Sequence, residues 1–247
     1  MGNAKPHVLK LLLAIMLSPL FLLQAHASKS ELYQSAIEHP ERLASDLQYD
    51  EARKPLETLL FTQINEGDKV VELGAGGGYT TELLSWVVGT TGKVYAHFLY
   101  NQQRLAEERL ANVVSLKQHH LSQHGKMLEE LKVADGQLDG IVIFYILHDI
   151  YLNEEMNDDL FPTLLKALKP GGKLIILDNA AAIGSGLANI GDLHRIDENY
   201  VKQVVMVEGF ELDAELQSLR NLADDHTKPW GDFKGQQDRF GLRFVKP

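Results

Sequence analysis

The stretch Val70-Val71-Glu72-Leu73-Gly74-Ala75-Gly76-Gly77-Gly78-Tyr79-Thr80-Thr81 constrains this chain more than any other. An apolar run ends in an acid, a glycine-rich turn follows, and the next residues carry a helical pattern. Glycine reaches backbone angles that other residues avoid, and it has no side chain to hold a ligand at a distance. A strand, a glycine turn and a helix N-terminus together make a cradle, because the first N–H groups of a helix lack intrahelical partners. The competing reading is a glycine-rich hairpin without a ligand, but the helical pattern after the loop fits a βα unit better.

The glycine spacing narrows the ligand. A G-x-G-x-x-G dinucleotide turn that starts at Gly74 needs a glycine where Tyr79 stands. Starting at Gly76, it meets Thr81. No G-x-x-x-x-G-K-[ST] phosphate loop occurs. The spacing that is present, acid-x-Gly-x-Gly-x-Gly through Glu72, Gly74, Gly76 and Gly78, resembles motif I of the class I S-adenosylmethionine (SAM)-dependent methyltransferases.

Composition removes several function classes. The 247 residues contain no cysteine, which excludes thiol catalysis and a disulfide framework. A formal charge of −10 without Lys/Arg clusters makes a poor partner for nucleic acid or an anionic membrane surface. Residues 1–27 read as a secretory signal peptide. Lys5 and Lys10 precede the apolar run Leu11 to Leu23, broken at Ser18-Pro19, and Ala25-His26-Ala27 is a small-x-small cleavage site. The run is short of the about 20 residues a spanning helix needs. Cleavage after Ala27 and a periplasmic or secreted location are expected, with no integral span left; an uncleaved anchor is the alternative. The layout is then 1–27 signal peptide, 28–65 helical extension and 66–247 cofactor-binding domain.

From Val70 onward strands alternate with helices. The expected strands are Lys69–Leu73, Gly92–Phe98, Val113–Lys117, Leu138–Phe144, Lys173–Asp178, Phe210–Leu212 and Phe240–Val245. The expected helices are Thr80–Val88, Gln102–Ala111, Asn157–Leu168 and Asp197–Glu208, the last ended by Gly209. Leu138–Phe144 is a continuous apolar run, as in a strand covered on both faces. The alternation predicts an α/β fold with a mostly parallel, doubly wound sheet and helices on both faces. Leu32, Ala36 and Ile37, then Leu56, Leu59 and Leu60, place two helices before it.

Three landmarks in register strengthen the resemblance: the glycine motif, the segment Leu138–Asp149, and the turn Leu168-Lys169-Pro170-Gly171-Gly172. The wider layout resembles a bacterial family of exported predicted methyltransferases. It does so through Arg53-Lys54-Pro55, Gly76–Thr80, Gly92–Tyr95, His148-Asp149, Asp178–Ala181, Leu193–Asp197 and Asp238–Phe240. The resemblance implies a Rossmann-like seven-stranded sheet with an antiparallel last strand, and SAM as cofactor. It also implies a ribose-binding acid at the end of the second strand. Residues 94–102 carry no acid, which leaves His97, Asn101 or Gln102 to hydrogen-bond the ribose.

In an open α/β sheet the ligand lies beyond the C-terminal ends of the strands. The cofactor-binding candidates are Glu72, Gly74, Gly76, Gly78, Tyr79, His97, Gln118 and Tyr145. Glu72 either positions the loop or reaches the SAM amine. Tyr79 and Thr80 stand where the methionine carboxylate would lie, and Gln118 near the adenine. The catalytic candidates are His148, Asp149 and His194. A histidine after strand four can serve as general base near neutral pH, with its tautomer fixed by a neighbour. The plain alternative is a structural histidine beside a capping acid. His194, before the last expected helix, is placed to face the substrate. Arg195 pairs with a substrate carboxylate or with Asp197, and Asp197 caps the following helix. Asp178-Asn179 either contact substrate or bind a cation. Trp230 and Phe233 form a lid or pack an edge. Gln118-His119-His120 with Gln123 and His124 lacks a second cluster at ligand spacing, so no metal is assigned. The absence of an N/D-P-P-[YFW] motif after strand four argues against DNA bases and protein amides as acceptors.

Three readings follow. The first is a SAM-dependent methyltransferase acting on a small molecule. The second is a non-catalytic small-ligand-binding protein on the same fold, favoured by the missing acid. The third is a nicotinamide oxidoreductase, disfavoured by Tyr79.

Overall fold

The computed structural model describes residues 29–101, 103–105, 109–116, 136–152, 160–233 and 235–247. The signal-peptide segment, Gln102, Gln118 and the rest of the 118–124 cluster lie outside the described residues, as does part of the expected helix over 102–111. Residues 103–105 of that helix form a single 3₁₀ turn.

Three short helices precede the sheet: α1 (residues 29–37), α2 (Asp50–Arg53) and α3 (Pro55–Thr62), with a 3₁₀ helix Ala44–Tyr49 between α1 and α2. Lys54 separates α2 from α3 in the left-handed region (φ 44°), and Pro55 opens α3 at a position where its missing N–H costs nothing. The sheet proper comprises β1 (Lys69–Leu73), β2 (Lys93–Ala96), β3 (Val113–Ser115), β4 (Leu138–Phe144), β5 (Leu168–Asn179), β6 (Glu211–Leu216) and β7 (Arg239–Val245). Its helices are α4 (Tyr79–Val88), α5 (Leu147–Tyr151), α6 (Leu160–Ala167) and α7 (Glu198–Val207).

The seven strands run in the order β3-β2-β1-β4-β5-β7-β6. β1 to β5 are mutually parallel, and β7 is antiparallel to both β5 and β6. The chain therefore winds outward from β1 in both directions, and the gap between β1 and β4 is the switch point where such sheets bind ligands. Side chains alternate across the sheet as the pleat requires. Val71, Ile141, Ile143, Leu174 and Ile176 face a core completed by α5, α6 and α7. Val70, Val142, Ile175 and Leu177 face the other, completed by α1, α3 and α4. The extension is part of this second core: Tyr33 is fully buried and its hydroxyl donates to the Ile64 carbonyl at 2.7 Å.

The α/β reading with its antiparallel last strand matches this architecture. Two boundaries differ for physical reasons. The Lys169–Gly172 turn lies inside β5 as a bulge, since Leu168 pairs with Leu138 while Lys173 pairs with Gly140. β6 runs to Leu216 rather than Leu212. It is an edge strand whose alternating acids, Glu211, Asp213 and Glu215, hide the strand pattern and discourage pairing with another chain. α7 keeps its expected cap: the Asp197 carboxylate accepts the Asn199 N–H at 2.9 Å.

Candidate active site

The glycine loop between β1 and α4 is stitched to the residues after β2. The Ala75 N–H donates to the His97 carbonyl at 2.8 Å, and the Gly76 N–H to the Phe98 carbonyl at 3.1 Å; the Tyr100 N–H returns to the Gly76 carbonyl at 3.1 Å. Two glycines are required by close approach as well as by backbone angle. A Cβ on Gly74 (φ 72°) would lie 2.8 Å from the Ile146 side chain, and one on Gly78 (φ 84°) would lie 2.5 Å from Arg104 Cδ. Gly76 and Gly77 face Tyr100: a Cβ on Gly76 would lie 3.6 Å from its ring, and one on Gly77 3.4 Å from its hydroxyl. Tyr100 is mostly exposed, and no motif in the sequence singles it out.

Glu72, at the end of β1, is buried and accepts a short hydrogen bond from the Thr81 hydroxyl, so it ties the loop to α4. Burial pushes its carboxyl up to about 7, against the Thr81 hydrogen bond and the attraction of Arg53 and Arg104. The Tyr79 hydroxyl donates to Asp50 Oδ1 at 2.6 Å, which joins α4 to the extension. His97 is fully enclosed, so its imidazole does not line an open ribose site.

Beside this loop a cavity of about 620 Å³ opens at the C-terminal ends of β4 and β5. The sheet side contributes Tyr145, His148, Asp149 and Asn179, and the connection before α7 contributes His194. The extension covers it with Gln48, Tyr49, Ala52 and Arg53, while Trp230, Gln237 and Arg239 close the far side. Tyr145 sits in the left-handed region (φ 60°), with the Arg53 and Arg239 guanidinium groups each 5.8 Å from its ring centre. The Arg53 guanidinium lies nearer still to the Tyr79 ring, at 4.6 Å. Gln48, Tyr49, Ala52, Gln237 and Arg239 were not among the sequence candidates. The only sequence signal for them was the pair of resemblance segments around Arg53 and Arg239.

His148, Asp149 and His194 meet on the cavity wall. Asp178 is fully buried and holds His148 in place. It accepts the His148 backbone N–H at 3.0 Å, and its other oxygen lies 2.7 Å from His148 Nδ1. Nδ1 therefore carries the proton, and Nε2 is turned toward Asp149 Oδ1 at 3.5 Å. The same Asp149 oxygen lies 3.3 Å from His194 Nδ1, and the two imidazoles stand edge to face with centres 5.5 Å apart. Burial alone would lower the His148 pKa, but the charge and hydrogen bond of Asp178, with Asp149 beyond, raise it above the ordinary histidine value. His194 is held at a positive φ of 51°, a conformation few non-glycine residues adopt.

The structure corrects two neighbouring expectations. Arg195 meets neither substrate nor Asp197. It is fully buried, pairs with Asp224 at 2.8 Å and donates to the carbonyls of Ala180 and Lys228. Asp178 faces His148 rather than the cavity. Asn179 does line the cavity, where it donates to the His194 carbonyl at 3.2 Å and accepts from Gln237 Nε2 at 2.9 Å. Among the described residues, Gln237 Oε1 and Arg239 Nε are buried polar atoms without a hydrogen-bond partner. Trp230 lines the cavity from a 3₁₀ helix, Trp230–Phe233, whereas Phe233 packs under the Arg195 guanidinium.

Gly76 and Gly77 leave bare backbone facing Tyr100 and Glu72 closes the strand end, which suits a nucleoside-type cofactor, whereas a Cβ at Gly74 or Gly78 would collide with the chain's own Ile146 or Arg104. Comparisons with known proteins agree. A ubiquinone/menaquinone biosynthesis C-methyltransferase, UbiE, from Salmonella arizonae is 28% identical over 138 residues, 56% of this chain and 53% of that protein. The chain thus spans about half the length of the curated relatives it matches. A SAM-dependent methyltransferase from Aquifex aeolicus superposes with a TM-score of 0.55 at 18% identity, covering 87% of this chain and 98% of that one. Aeropyrum pernix fibrillarin with natively bound SAM gives 0.52 at 16% identity, over 80% and 76% of the two chains. At such identities these structures show the fold. The family model described as protein-L-isoaspartate(D-aspartate) O-methyltransferase matches residues 51–206, well over half of the sequence. The chain therefore belongs to that family, within the class I SAM-dependent methyltransferases.

Proposed function

We propose that this protein transfers a methyl group from SAM to a small molecule that carries an ionisable hydroxyl. The observation that carries the reading is the convergence of His148, Asp149 and His194 on a cavity beside the glycine loop. SAM, when bound, supplies an electrophilic methyl group. The Gly74–Tyr79 loop would hold it, with Tyr100 alongside. The chain's own residues would do the rest. His148 Nε2 and the Asp149 carboxylate orient the acceptor hydroxyl and take its proton, and Asp178 fixes the imidazole so that little reorganisation is needed. Tyr49, Ala52 and Trp230 roof the cavity and limit water. Gln237 Oε1 and Arg239 Nε leave polar capacity for a second oxygen on the acceptor.

The family description names a protein carboxylate as methyl acceptor, and the UbiE relatives are named for carbon methylation in quinone biosynthesis. A carboxylate needs no base, so a buried histidine held by an aspartate supports a hydroxyl instead. An ionised ring hydroxyl also activates its ring carbons, which keeps both oxygen and carbon as methyl destinations within one acceptor class. Export, argued from Ala25-His26-Ala27, belongs to the same proposal.

The test is release of S-adenosylhomocysteine from SAM with a panel of phenols, quinols and isoaspartyl peptides. Turnover with a hydroxyl compound, lost in His194→Ala, is expected. Turnover confined to isoaspartyl peptides would contradict the acceptor class.

A further inference from the structure

We propose that His148, Asp149 and His194 form a binding site for a divalent transition-metal ion, and that this ion receives the acceptor's hydroxyl oxygen. One ligand atom from each residue lies within 4.8 Å of the others. An ion bound at about 2.0–2.2 Å holds adjacent ligand atoms roughly 3.0–3.5 Å apart. Asp149 Oδ1 is 3.5 Å from His148 Nε2 and 3.3 Å from His194 Nδ1, so two of the three pairs stand at coordination spacing, and the third, within 4.8 Å, closes by rotation of the partly exposed His194 side chain.

The outer partner is also present. A metal-bound histidine characteristically donates its other ring N–H to a carboxylate, which fixes the tautomer and raises ligand basicity. Asp178 does this for His148: Nδ1 is 2.7 Å from Oδ1, and Asp178 itself is anchored by the backbone N–H groups of His148 and Asn179. A buried carboxylate locking one imidazole nitrogen leaves the other nitrogen as a fixed donor facing the cavity. Three protein ligands on a cavity wall leave coordination positions open, as in catalytic rather than structural metal sites. Two imidazoles and one carboxylate select a zinc- or iron(II)-type ion over magnesium, which prefers all-oxygen sites.

The ion's role rests on the methyltransferase reading above; the site itself does not. A hydroxyl that binds an open position loses its O–H proton to water at the cavity mouth, and its oxygen keeps both electrons as a metal-held anion. That supplies the ionisation otherwise assigned to His148 and Asp149. It also narrows the acceptor to molecules whose oxygen can ligate a cation.

The experiment uses the full chain after treatment with a chelator. Calorimetric titration with Zn²⁺ is expected to show one ion per chain, and Co²⁺ to give visible absorption bands from mixed nitrogen and oxygen ligands. His194→Ala should abolish stoichiometric binding. Its side chain is 43% exposed, so the fold should survive, as circular dichroism would show. Asp178→Asn should weaken binding by about 10–100-fold. Mg²⁺ is the comparator and should not compete. Zn²⁺ binding that His194→Ala leaves unchanged, or no stoichiometric binding at all, overturns the site. S-adenosylhomocysteine titrated into the same samples separates the two readings. If it binds and Zn²⁺ does not, this inference fails and the methyltransferase reading stands. If Zn²⁺ binds through His194 and S-adenosylhomocysteine does not, the ion site stands and its methyl-transfer role falls.

Discussion

Glycine acts in this molecule through two separable effects, backbone angle and close approach, and single residues distinguish them. At Gly171 (φ 76°) an added methyl group would meet nothing within 4 Å, so Gly171→Ala should cost only the backbone strain of about 1 kcal/mol. Gly74→Ala adds a 2.8 Å collision with Ile146 to a similar angle, and should cost about 2–4 kcal/mol. Urea denaturation of the two variants checks this; equal losses would mean that the loop gives way to the methyl. Glu72 makes a pH prediction of defined sign. With its folded pKa raised to about 7 from an ordinary 4.5, the folded protein holds a proton that the unfolded chain has released across that window. Stability must therefore fall as pH rises from about 4.5 to about 7, by about 3 kcal/mol from this group, and level off above. Glu72→Gln should flatten that part of the profile of melting temperature against pH. An identical slope in the variant would assign it to other groups.

Among the elements, the 3₁₀ helix Ala44–Tyr49 is held to the cofactor side of the molecule by buried charge. Arg104 makes two 2.8 Å contacts with Asp46, a shorter one with Glu82, and a short hydrogen bond to the Gly77 carbonyl. Arg109 adds a second guanidinium on Glu82 at 2.8 and 2.9 Å. Asp46→Ala leaves a buried arginine short of one carboxylate, and loss of one partner in such a cluster costs about 3–5 kcal/mol. Denaturation should show that loss, with faster hydrogen exchange over residues 44–53. A cost below about 1 kcal/mol would match an exposed pair and contradict the cluster's role. None of this was legible in the sequence, because the charges that meet lie 22 to 58 residues apart. The strands fared differently by kind. β4 announced itself, since a strand covered on both faces must be apolar throughout. β6 was cut short, since an edge strand can carry an acid at every second position.

At the scale of the whole molecule, the alternation of strands and helices and the spacing of Glu72, Gly74, Gly76 and Gly78 made the fold and the cofactor class readable. Local periodicity and a turn chemistry confined to a dozen residues carry that information. The site was readable only in part. His148 and Asp149 could be singled out from their place after strand four and His194 from its place before α7, and the structure gathers them. Asp178 could not be assigned to His148, nor Arg195 to Asp224, because those partnerships depend on which way a side chain turns and on residues about 30 positions away in sequence. The cavity roof was invisible for a different reason: it comes from an extension whose sequence shows only two modest helices, though Tyr33 and Leu59 belong to the same buried core as Val70. In the proposed function the cofactor lies on the glycine loop and the acceptor in the neighbouring cavity, both at the C-terminal edge of the sheet. Calorimetric titration of the protein with S-adenosylhomocysteine tests that placement most directly. One-to-one micromolar binding that is lost in Gly76→Arg is the predicted result; no binding up to millimolar ligand would contradict it.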